Sequence, residues 1–141
     1  MIKLRHALLA SGVAAGVLFA GAAPSHAQEA GASTSVNSAA RAAVGWDWYT
    51  KNKIVNVDLA VDDTKADGHR AYARLVTKTR GGTVVRYSKR WVTGGAGDGN
   101  HYNNLQASDS RGIAAATIEV CIDDAGADTC ELAGWKYNEI G

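Results

Sequence analysis

The sequence predicts an all-β protein, an antiparallel Greek-key sandwich or barrel of Ig-like type with one disulfide-stapled hairpin. Three observations carry that expectation. In "KIVNVDLAVDD", Val55, Val57, Leu59 and Val61 share one parity against Asn56, Asp58 and Ala60, the period of a half-buried strand. From Trp46 onward, short β-type runs are separated by Gly, Asn and Asp, and no stretch keeps a helical period for long. Near the end, "ATIEVCIDDAGADTCELAGWKYN" alternates Ala116, Ile118, Val120 and Ile122 and then returns past a polar tip.

The N-terminus reads as a targeting segment. Lys3 and Arg5 precede the apolar run "ALLASGVAAGVLFAGAA", and Ser25-His26-Ala27 offers a small-residue cleavage site, so residues 1–27 are expected to be a signal peptide. The export route makes the compartment oxidising, and the two cysteines, Cys121 and Cys130, are expected to form a disulfide. Two cysteines and two distant histidines do not suit a metal. No membrane association is expected once the signal is removed.

Cleavage takes Lys3 and Arg5 with it, so 15 basic residues become 13 against 14 acidic ones. A chain this close to neutrality is not expected to bind nucleic acid through bulk charge. Met1, Phe19 and Pro24 leave as well, and every remaining aromatic ring is Trp or Tyr, each with a polar handle.

Residues 28–44 are Ala/Ser-rich with little to bury and read as a disordered arm, followed by a single sandwich domain over 45–141. "VDDTKADGHRAYARLV" gathers carboxylates around a glycine. Aligned on Asp63 as a calcium loop, two ligand positions fall on Lys65 and Arg74, which would repel the ion. The stretch therefore reads as a turn built on Asp67-Gly68. Asp123, Asp124 and Asp128 read as a hydrophilic hairpin tip.

The next two strands register best across a three-residue loop, Gly81-Gly82-Thr83. That places Ala71, Ala73, Leu75, Val85, Tyr87 and Trp91 on one face, and Arg74, Lys78, Arg86 and Arg90 on the other. Arg74 then opposes Arg90, and Lys78 opposes Arg86, with Tyr72 beside Arg74. This face is the candidate site for an anionic ligand; the plainer reading is a solvated face balanced by acids from another strand. If Cys121 and Cys130 oppose each other, they lie outside, and Ala133, Trp135 and Tyr137 lie on the apolar face.

Trp46, Trp48, Tyr49 and Tyr102 are the candidate exposed aromatics, able to stack on a sugar. The loop over 94–104 is rich in Gly and Asn and has no large apolar anchor except Tyr102. Catalysis has little support: His69 and His101 are the only histidines after cleavage, and no Gly-x-Ser-x-Gly elbow accompanies them.

The turn "DTKADG" with its alternating strand, followed by the late "VCIDDAGADTC", resembles a group of small secreted actinobacterial proteins of unassigned function. The likeness spans roughly residues 54–135. Members of that group often carry a further, earlier cysteine pair, which is missing here. The resemblance implies secretion and fold but no activity. The expectation is a secreted, monomeric, non-catalytic binding module for sugar or an anionic cell-wall polymer, with no cofactor. The alternatives are a secreted protein-interaction factor or protease inhibitor, and a small secreted hydrolase using His69 or His101.

Overall fold

The computed structural model describes residues 28–141; the expected signal peptide lies outside the described residues. Among the described residues, ten strands form two antiparallel sheets. They are β1 (Gln28–Val36), β2 (Ala40–Thr50), β3 (Lys53–Asp63), β4 (Ala71–Thr79), β5 (Val84–Arg86), β6 (Arg90–Trp91), β7 (Gly99–Ser108), β8 (Ile113–Ile122), β9 (Thr129–Leu132) and β10 (Lys136–Tyr137). The first sheet has the order β1-β2-β3-β7. In the second, β8 pairs with β4; β9 and β10 share the far side of β8, and β5 and β6 share the far side of β4.

The chain crosses between sheets from β3 to β4, returns from β6 to β7, and crosses again from β7 to β8. Since β3 pairs with β7 and β4 with β8, the β3–β4 and β7–β8 crossings interlock as a Greek key. The core lies between the sheets. It takes the inward parity of every long strand, including Ile54, Val57, Leu59, Val61, Ala73, Leu75, Ile118 and Val120.

The expected disordered arm is instead β1 and the first part of β2. Ala residues supply little area each, but Val36, Ala40, Ala42, Val44, Trp46 and Trp48 hold one parity and are all buried. The turn between the strands has both Asn37 and Ser38 in the left-handed region (φ 50° and 54°), and Ala39 N–H donates to the Val36 carbonyl at 2.8 Å. Such primed turns match the twist of a hairpin. Small side chains let this hairpin approach β8 closely.

β3 is not one uninterrupted alternation. Asn56 takes a φ of 52°, a conformation that Asn tolerates, and the register shifts there against both neighbours. The bulge resets the parity, so Ile54 turns inward and Val55 is only half-buried. A second bulge at Asn104 (φ 61°) lies in β7. Half of the expected Gly-rich loop is thus strand, since β7 starts at Gly99 and pairs with β3.

Cys121 and Cys130 oppose each other directly and are bonded. They lie on the outer face of the second sheet, as the hairpin reading required. The disulfide joins β9, only four residues long, to β8. Replacing both cysteines by Ser is expected to lower stability by about 2–3 kcal/mol, from the loop-closure entropy of a short loop. Urea unfolding of the double variant checks this, and a loss under about 1 kcal/mol would mean that β9 is held by pairing alone.

Candidate functional site

The outer face of the second sheet is where the cationic residues gather. The β4–β8 register sets Tyr72 opposite Cys121, Arg74 opposite Glu119 and Val76 opposite Thr117, so these pairs share the outer face. On the other side of β4, Val76 opposes Arg86 and Lys78 opposes Val84. Arg74, Lys78 and Arg86 therefore do share a face, but their register differs from the expected one by two residues. The loop keeps three residues but sits one position earlier: Thr79 N–H donates to the Thr83 carbonyl at 2.8 Å, and Thr83 N–H to Thr79 Oγ1 at 3.0 Å, leaving residues 80–82 as the loop. Lys78 does not oppose Arg86, and Arg74 does not oppose Arg90.

Arg90 leaves this face altogether. The strand is interrupted between β5 and β6, and when pairing resumes, Ala73 opposes Arg90 and Tyr72 opposes Trp91. The interruption inverts the alternation. Arg90 turns to the inner side, where its guanidinium lies 5.7 Å from the Tyr102 ring, and Trp91 turns outward. A single extra residue does the same at Gly134. Ala133 is buried toward the core, but after Gly134 the pairing with β8 slips by one, and Trp135 and Tyr137 face out. Thr117 Oγ1 donates to the Gly134 carbonyl at 2.9 Å and fixes that kink.

Among the four expected exposed aromatics, Trp46 and Trp48 are core residues, 2% and 3% exposed, packed edge to face at 5.5 Å. Tyr49 is exposed and lies 5.9 Å from Lys53 Nζ. Tyr102 is half-buried and donates to the Trp91 carbonyl at 2.5 Å. They do not form one surface row.

The centre of the outer face is a three-residue ion cluster. Glu119 accepts from Arg74 Nε at 2.9 Å and from Arg86 Nε and Nη2 at 3.1 and 3.3 Å. Its side chain is 7% exposed, against 19% for Arg74 and 43% for Arg86. Burial pushes the Glu119 carboxyl up, but hydrogen bonds from Arg86 and Arg74, with their charges, outweigh it and hold the group below the usual carboxylate range. A Glu in the apolar run "ATIEVCI" was the sequence signal for this acceptor, since it falls on the outward parity.

Aromatic rings flank the cluster. Lys78 Nζ lies 4.5 Å from the Trp135 ring, and no described carboxylate pairs with it. At the other end, Trp91 stacks on Tyr72 at 4.7 Å, with the Arg70 guanidinium 4.0 Å from Trp91 and Lys89 Nζ 4.7 Å from Tyr72. Tyr72 is buried and donates its hydroxyl to Asp128 at 2.7 Å. Burial, then this hydrogen bond, pushes its phenol up to about 12. Arg70, Lys89, Trp91, Trp135 and Glu119 thus join Tyr72, Arg74, Lys78 and Arg86.

The acidic hairpin tip closes that end. Asp123 pairs with Arg70 at 3.4 Å, Asp128 with Lys89 at 3.8 Å, and Asp124 with His69 at 3.8 Å. His69 Nδ1 also lies 3.2 Å from the Asp123 carbonyl. His101 is on the outer face of the first sheet, opposite Ala60, whereas His69 lies in the loop before β4 against the hairpin tip. No described serine hydroxyl hydrogen-bonds either ring. In the calcium-like stretch, Asp63 accepts from Lys65 N–H at 3.2 Å and Asp67 from His69 N–H at 3.0 Å, which are turn contacts, and Gly68 takes φ 77°. Glu119, Cys121 and Cys130 lie close together, but both sulfurs are in the disulfide and the carboxylate is held by two arginines.

The fold and this face define a small disulfide-bonded β-sandwich with a cationic, ring-flanked outer sheet. Comparison with protein-family models, curated proteins and solved structures gives no match to the chain.

Proposed function

We propose that the protein is a secreted, non-catalytic binding module whose outer second-sheet face takes an anionic extracellular polymer. One observation carries the reading: Arg74 and Arg86 share the single carboxylate of Glu119, and Lys78 has a ring but no acid beside it. Three cations against one carboxylate leave positive charge on a face that is held rigid by strand pairing. The half-buried Trp91 and Trp135 rings bracket it and add apolar contact for a sugar backbone. A neutral-sugar platform built on Trp46 and Trp48 has lost its support, because both rings are in the core.

Secretion is part of the proposal. The disulfide suits an oxidising compartment, and among the described residues no helix is long and apolar enough to cross a membrane. Cleavage after Ala27 would leave all the described strands in the mature protein. The resemblance to secreted actinobacterial proteins belongs to the same proposal.

Retention on immobilised polygalacturonate and polyphosphate, against neutral dextran, tests the reading. Binding to the anionic polymers is expected at low ionic strength and is expected to weaken as salt screens the face. Lys78→Glu combined with Arg86→Glu is expected to weaken it at least about tenfold, on the order of 1.4 kcal/mol. Equal retention of wild type and variant, or no retention on either polymer, would remove the proposal.

A further inference from the structure

We infer that β1 is a dimerisation edge, pairing antiparallel with β1 of a second copy about Ala32 to fuse two first sheets into one. β1 is the outer strand of its sheet, and no described residue pairs with its free side. Exposed edges are ordinarily blunted by a Lys, a Pro, a bulge or short length. β1 has none of these. It is nine residues long, its sequence QEAGASTSV holds no Pro and no cation, and its register against β2 runs unshifted from Gln28↔Trp48 to Val36↔Ala40.

The other three edges differ. β7 is bulged at Asn104, and the second sheet ends in broken strands: β5 and β6 of three and two residues, β9 and β10 of four and two. Among the described strands, only β1 offers a long edge ladder without a bulge or break, and β9 and β10 lie near it across a groove without pairing with it.

A second copy fits this edge by parity, size and charge. Full overlap of the nine residues keeps each side-chain face matched and sets Ala32 opposite the partner's Ala32, with Gly31 opposite the partner's Ser33. No bulky or like-charged pair arises. Glu29, exposed and with no ion-pair partner among the described residues, falls opposite the partner's Ser35. Ser35 is already opposite Arg41 on β2, so Glu29 lies in one row with the partner's Arg41. Arg41 reaches Asp62 through Nε at 2.9 Å, yet its side chain is 68% exposed, with both terminal nitrogens left for a second carboxylate. The two-fold axis creates this contact twice. A groove of about 410 Å³ between β1 and Ala133, Gly134 and Lys136 leaves open space on the second-sheet side of the approaching strand. This inference stands apart from the proposed ligand. Pairing of this kind would set both cationic faces on the same side of the dimer.

The test uses the protein expressed from its full sequence and recovered as exported, its N-terminus read by mass spectrometry. Sedimentation velocity is run over concentrations up to about 1 mM, where interfaces below the standard size still associate. The expected result is a reversible dimer, with amide exchange over residues 29–35 slowing as concentration rises. Glu29→Arg and Arg41→Glu are each expected to weaken the dimer about tenfold, and their combination to restore it. Circular dichroism confirms that each variant is folded. A monomer at every concentration, a dimer whose β1 exchange is unchanged, or a dimer indifferent to the charge swap would each overturn the inference.

Discussion

Replacing Trp46 or Trp48 by Ala is expected to destabilise the fold by about 3–5 kcal/mol, the cost of removing a large ring from a close-packed core. Both rings are almost fully buried and touch edge to face at 5.5 Å, so each loss also removes a partner of the other. An effect of that size is a large share of the roughly 5–15 kcal/mol that holds a domain folded. The two rings separate under a milder change. The Trp46 Nε1–H is buried without a hydrogen-bond partner among the described residues. Trp46→Phe removes that orphaned donor with part of the ring, so it is expected to cost less than Trp48→Phe. Urea unfolding of the four variants gives both comparisons. Losses within about 1 kcal/mol for the Ala variants would place the rings outside the core, as exposed aromatics beside a disordered arm would be.

That contrast shows what alternation in a sequence can and cannot reveal. Ile118, Val120 and Ile122 on β8, and Leu59 and Val61 on β3, were legible because long uninterrupted runs repeat the period of two. The facing cysteines were legible for the same reason. The tryptophans were not, and all four changed places. Trp91 and Trp135 carry inward parity when counted along their strands. The break between β5 and β6 and the bulge at Gly134 each invert the count, and both rings face out. Trp46 and Trp48 were hidden by their neighbours, because "ASTSVNSAARAA" supplies Ala where a buried strand ordinarily carries Val or Ile. The parity of Val36, Ala40, Ala42 and Val44 was present, but each Ala adds too little area to stand out. The cationic face was half legible. Its membership by parity held for Tyr72, Arg74, Lys78 and Arg86, and failed for Arg90 beyond the break. Its acid was signalled by the outward parity of Glu119, but the pairing of β8 with β4 that seats it beside Arg74 was not legible.

Glu119→Gln is expected to lower stability by about 2–3 kcal/mol near neutral pH. Breaking a buried ion pair from one side costs about 3–5 kcal/mol, and the solvent reaching Arg86 and Arg74 reduces that. The pH dependence follows from the direction of the shift. The folded carboxyl titrates below its ordinary value of 4.5, so its contribution is complete above about that pH. It is lost as pH falls through the folded value, where the native state must take up the proton. The gap between wild type and Glu119→Gln should therefore be constant from pH 7 down to about 4.5 and shrink below it. A gap that stayed the same into strong acid would mean that the carboxylate charge contributes nothing and only shape matters. The same substitution frees two guanidinium groups toward solvent, so it should raise affinity for an anionic polymer while lowering stability. A merely structural cluster would lose stability and leave polymer retention unchanged. The opposite signs of the two effects separate a face that binds from one that only holds β4, β5 and β8 together.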